Sequence, residues 1–211
     1  KVAQKSIKTL AVVHKECAGN PVVAAKFADK KIFYDLRISP YITFTVGKHP
    51  QLKAYADRVS AELMEKSITL VHGDYSPKNI MVVGRGISVL DYEVAHYGHP
   101  AFDLAFFSNH FILKAVKNRQ FAPAYLNMLA YMIDLYFARM DYMDREELES
   151  CYIRTLALLM IARVDGKSPV EYLTQEPEKQ QLVRELTFGI VEGKIENFLD
   201  AFMLISKGVS R

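Results

Sequence analysis

From Ser67 to Asp91 the chain abandons helical spacing for three short apolar runs: ITLVH (68–72), NIMVV (79–83) and ISVL (87–90). They are rich in β-branched residues, and Gly84-Arg85-Gly86 separates the last two, which predicts a tight hairpin. Almost everything else has helical spacing. Residues 2–18 carry Leu10, Val13 and Cys17 at helical intervals and stop at Gly19-Asn20-Pro21. Residues 21–49 are mixed, with Arg37-Ile38-Ser39-Pro40-Tyr41 reading as a loop or short turn, and Pro50 opens a helix over 50–66. Beyond Pro100, helices are expected over roughly 101–116, 121–140, 145–164, 169–186 and 190–206. The expected fold is mainly α with a small β-hairpin insert, α+β overall, as one domain over 1–211.

Composition narrows the function classes. Half of the 211 residues are hydrophobic, enough for a packed core, and the net charge is only +3 with no block of like charge. Nucleic-acid and membrane-surface binding therefore gain no support. The longest uninterrupted apolar run, Leu156 to Ala162, ends at Arg163 and is far short of a membrane span. Cys17 and Cys151 lie far apart with no Cys-x-x-Cys, which suits a reducing, cytoplasmic compartment.

The chemistry concentrates in the β-like window. His72 and Asp74 follow the first run, Asn79 begins the second, and Asp91 follows the third. Pro77 lacks an N–H, so Asp74 to Asn79 is expected as a loop anchored at both ends. Asn79 and Asp91 offer hard oxygens of the kind Mg²⁺ accepts, and Asp74 could take or orient a hydroxyl proton. An H-x-D-x-x-x-x-N spacing followed by a metal-type Asp is the logic of a phosphoryl-transfer loop.

LVHGDYSPKNIMV followed by ISVLDYEVAHYGHPAFDLAFF resembles the aminoglycoside phosphotransferase and choline kinase group of small-molecule kinases. The likeness rests on His72-Gly73-Asp74, Asn79, Asp91-Tyr92-Glu93, Gly98-His99-Pro100 and Asp103-Leu104-Ala105. It implies the carboxy-terminal lobe of a protein-kinase-like fold, with 68–105 as the catalytic and metal segment. It implies ATP and Mg²⁺ as cofactors and a small-molecule hydroxyl as acceptor, aminoglycoside-, choline- or sugar-like. Asp74 would be the catalytic Asp, Asn79 and Asp91 the metal ligands, and His72 and Asp103 structural supports of the loop. Lys78, Tyr92 and Glu93 are candidates for substrate or phosphate contact.

The amino-terminal nucleotide lobe of that group, with its covering loop and phosphate-binding Lys, has no counterpart among these residues. Little or no turnover is expected from residues 1–211 without it. The alternative function is a non-catalytic binding or regulatory module on the same fold. A protein kinase lobe is disfavoured, because Asp91 to Asp103 leaves no room for an activation segment. His96 and His99 invite a zinc reading, but no cysteine or second His pair lies nearby in sequence. The acidic residues Asp141, Asp144, Glu146, Glu147 and Glu149 lie beside arginines and read as a solvated face. No oligomeric state follows from the sequence.

Overall fold

The computed structural model describes residues 1–210. It is mainly helical, with two small antiparallel sheets. Strands β2 (Ile80–Val83) and β3 (Gly86–Val89) form the hairpin, pairing Val83 with Gly86 across Gly84-Arg85. Gly84 takes φ +55°, the left-handed value that such two-residue turns demand. Strand β1 (Thr69–Val71) does not join it. It pairs with β4 (His96–Gly98), Thr69 opposite Gly98. Three residues, His-Tyr-Gly, are too few for an alternating pattern, so β4 gave no sequence signal.

The long helices are α1 (Val2–Cys17), α5 (Lys53–Glu65), α6 (Ala101–Lys117), α7 (Ala122–Phe137), α8 (Arg145–Asp165), α9 (Pro177–Glu192) and α10 (Phe198–Val209). Shorter pieces are α2 (Pro21–Lys26), α3 (Lys31–Phe33) and α4 (Phe44–Lys48). Helix α8 is the centre of the molecule. Every residue from Cys151 to Ala162 is buried, so the helix is enclosed on all sides and needs no amphipathic face. Asp144 caps it, its side chain accepting from Glu147 N–H at 2.8 Å, with Glu146 and Glu147 in the first turn where the helix dipole favours acids. Helix α6 packs along α8, and its first nine residues are all buried. Helices α1 and α7 cover one flank, and α9 and α10 another.

Three expectations need correction. Arg37 to Tyr41 is not a loop: Tyr34–Thr43 is a π-helix that joins α3 to α4 without a break. Pro40 explains the change of register. It has no N–H for the Leu36 carbonyl, its partner in an α-helix, and burial of Ile38, Tyr41 and Ile42 holds the segment helical regardless. In α1 the inward face is Ser6, Ile7, Leu10, Ala11 and His14, while Val13 is exposed. The polar residues Ser6 and His14, not Val13, complete that stripe. Finally, the expected helices over 169–186 and 190–206 lie further along the chain. Pro177 begins α9 and Asn197 caps α10, each as helix-start chemistry favours. Among the described residues, no helix is long and apolar enough to cross a membrane.

Candidate active site

The loop from His72 to Asn79 leaves β1 and is fastened by one buried carboxylate. Asp103, in the first turn of α6, is fully buried. Its Oδ2 accepts the His72 N–H at 2.7 Å and its Oδ1 accepts the Gly73 N–H at 2.9 Å. His14 of α1 adds a third contact, Nε2 to Oδ2 at 3.2 Å. Burial alone pushes the Asp103 carboxyl upward, but the hydrogen bonds from His14 and the loop outweigh it and hold it below the usual carboxylate range. A chain of polar contacts continues outward: His14 Nδ1 to Tyr136 Oη at 2.6 Å, then Tyr136 Oη to Tyr142 Oη at 2.5 Å. Gly73 takes φ +77°, and a Cβ there would lie 2.8 Å from both Cγ1 and the carbonyl oxygen of Val94. Only glycine fits.

His72 orders the other side. Its Nδ1 accepts the Asp74 N–H at 3.1 Å, so its proton sits on Nε2, which donates to the Leu90 carbonyl at 3.0 Å. One imidazole thus couples the loop to the residue before Asp91. The Leu90 N–H to Asn79 carbonyl bond, 2.9 Å, extends the hairpin ladder by one residue and brings Asn79 and Asp91 to the same end of the hairpin.

Asp74 is buried, and three donors converge on one of its oxygens. Oδ2 receives Asn79 Nδ2 at 3.0 Å and lies 3.3 Å from both Arg37 Nη2 and Lys78 Nζ. Among the described residues, Oδ1 has no protein partner. Asn79 also donates Nδ2 to the Asp74 carbonyl at 3.0 Å, and its Oδ1 accepts no hydrogen bond among the described residues. Asp91 is exposed, sits at φ +69° just past the hairpin, and makes no hydrogen bond or ion pair among the described residues. An amide oxygen and a carboxylate, both left without protein donors, form the hard-oxygen set that suits Mg²⁺.

Of the other candidates, Lys78 reaches Asp74, whereas Tyr92 leans on the His72 ring at 4.7 Å with more than half its surface exposed. Glu93 is exposed and unpaired among the described residues.

The structure brings His99 to Glu62 and Cys151, their ligand atoms within 4.8 Å of one another. His99 Nδ1 accepts the Ala101 N–H, so Nε2 carries the proton and has no lone pair to offer a metal. Burial lowers His99 to about 4 and raises Cys151 to about 12, which keeps both neutral. His96 is stacked on Phe33 at 4.0 Å.

Two site residues escaped the sequence reading. Arg37 donates Nε to the Gly73 carbonyl at 2.6 Å, Nη1 to its neighbour Leu36 at 2.9 Å, and approaches Asp74. The Leu36 contact anchors the guanidinium within its own helix. The bond from His14 to Asp103 spans 89 positions. Neither has a local motif. The only available signals were a polar residue on an apolar helix face and an Arg three residues before a Pro.

Residues 34–130 match the family model described as phosphotransferase enzyme family. No curated protein matches the chain at a significant level.

Proposed function

We propose that this chain, whose residues 34–130 match the phosphotransferase enzyme family, is the catalytic-loop lobe of an ATP-dependent kinase for small molecules. It moves the γ-phosphoryl group of Mg-ATP to a hydroxyl acceptor. The observation that carries this reading is Asp74, a buried carboxylate with Oδ2 tied by three donors and Oδ1 left open. Such an oxygen can receive an acceptor hydroxyl, orient its lone pair toward phosphorus and take its proton as the P–O bond forms. Arg37 and Asn79 keep Oδ1 aimed while this happens. Asn79 and Asp91 would hold Mg²⁺, which when bound neutralises charge on the transferring phosphoryl group. Lys78, 66% exposed at its side chain, is free to swing from Asp74 to a phosphate.

A second lobe that covers the nucleotide is part of the proposal. The hairpin presents Met81, Val82 and Val83 to solvent, each about half exposed or more, as an apolar edge for that lobe to cover. Residues 1–211 alone should give little or no ATP turnover.

The test is Mg²⁺-dependent ADP release by the full gene product against a panel of hydroxyl compounds, with Asp74→Asn alongside. Acceptor-dependent release that falls by about 10²–10⁴ in Asp74→Asn, with the fold intact by circular dichroism, supports transfer. Undiminished release in the variant refutes it.

A further inference from the structure

Resting on the kinase reading, the surroundings of Asp74 indicate what kind of acceptor fits. On the side formed by the π-helix, α6 and α8, the site is built from cations and aromatic rings. Arg37 lies over Tyr41 at 5.9 Å and over Phe106 at 5.5 Å. Arg163, near the end of α8, lies over the same Tyr41 ring at 5.6 Å, and its Nη1 donates to the Tyr41 hydroxyl at 3.1 Å. Lys114 of α6 lies 5.8 Å from the Tyr172 ring. His110 packs on Phe106 at 5.5 Å.

Charge there is one-sided. Arg37 and Lys78 lie against Asp74, while Lys114 and Arg163 have no ion pair among the described residues. Asp165, the acid nearest to Arg163 on α8, is already held by Arg184 at 2.8 Å and His49 at 2.8 Å. Burial, then Arg163, lowers His110 to about 4, as expected where cations crowd a ring. Arg163 Nη1 also donates to the Ser168 carbonyl, while Nη2 has no partner among the described residues.

We infer that the acceptor carries an anionic group, a carboxylate or a phosphate, that docks on Arg163 and Lys114 while its own hydroxyl reaches Asp74. Polycationic and quaternary-ammonium acceptors are excluded by the same charges. Arg163 is suited to the task, because the Tyr41 hydroxyl and the Ser168 carbonyl fix Nη1 and stacking on Tyr41 sets the plane, which leaves Nη2 for the ligand.

Two arms test this on the full gene product. In the binding arm, titration calorimetry compares glycerate and glycerol 3-phosphate with uncharged glycerol and with choline. The acids are expected to bind at least about tenfold more tightly than either, and Arg163→Gln is expected to remove that preference. In the kinetic arm, homoserine is compared with choline, and Arg163→Gln should raise the acceptor KM while leaving the KM for ATP in place. Lys114→Gln should act in the same direction more weakly.

Equal binding of glycerol and the acids, or preference for choline, overturns the inference. So does Arg163→Gln raising the KM for ATP instead, since the cations would then serve the nucleotide phosphates. Failure of the kinase reading looks different: the acids still bind through Arg163, but no hydroxyl compound elicits ADP release. Preference between glycerate and glycerol 3-phosphate identifies which anion the site takes.

Discussion

At Asp103, one carboxylate receives two loop N–H groups and a histidine in a fully buried setting. Asn in its place puts an amide nitrogen against a backbone N–H, leaving one donor unsatisfied and His14 without its anion. Asp103→Asn is expected to cost about 3 kcal/mol, read from urea unfolding with an unchanged slope. Gly73→Ala forces a positive φ on an alanine and drives its Cβ into Val94. It should unfold at lower urea and lose transfer activity together. Asp74→Asn differs from both in the activity it is expected to remove while the chain still folds, although it also leaves Arg37 without its anion. The residues with a local pattern, His72, Asp74, Asn79 and Asp91, were legible because their spacing is a property of one loop and one hairpin. Arg37 and His14 were not, because what they do depends on which helices the fold places behind the loop.

Among elements, the π-helix Tyr34–Thr43 carries most weight for the site. Its extra residue per turn and its proline set where the Arg37 guanidinium emerges. Pro40→Ala offers an N–H to the Leu36 carbonyl in an α register, and the rewinding it allows would move the Arg37 guanidinium away from Leu36 and Gly73. The expected result is a melting temperature equal to or above that of the parent, with lower kcat because Arg37 no longer meets Asp74. A fall in stability with kcat unchanged would show that the π register serves packing alone. The hairpin β2–β3 was readable from its Gly84-Arg85 turn, and α8 from its length and apolar density. The π-helix was not, since a proline between polar residues reads locally as a turn and only burial of Ile38, Tyr41 and Ile42 overrides that preference. Strand β4 was missed for a related reason, because its partner β1 lies a whole hairpin away in sequence.

At the scale of the whole molecule, buried histidines couple the fold to acidity. His96 and His110 are lowered from an ordinary 6.5 to about 4, chiefly by burial. Between those values the unfolded chain binds protons that the folded chain refuses. Stability is therefore complete above about pH 6.5 and declines as pH falls toward 4, with His96 alone contributing on the order of 3 kcal/mol across that window. Asp103, held below its usual range, adds a further loss at still lower pH. Calorimetric melting should be flat from pH 7 to 8 and fall steadily below 6.5, and His110→Gln should make the decline shallower. A flat profile down to pH 4.5 would contradict this. The fastening of the loop also sets its motion in time. His72 and Gly73 give their amides to a carboxylate rooted in α6 and tied through His14 to α1 and α7. Those amide protons can meet solvent only when the helical body itself opens, so their isotope exchange should be as slow as that of α8. The entropy of ordering the loop is thus surrendered once, as the chain folds, and each arriving substrate meets a loop that is already ordered.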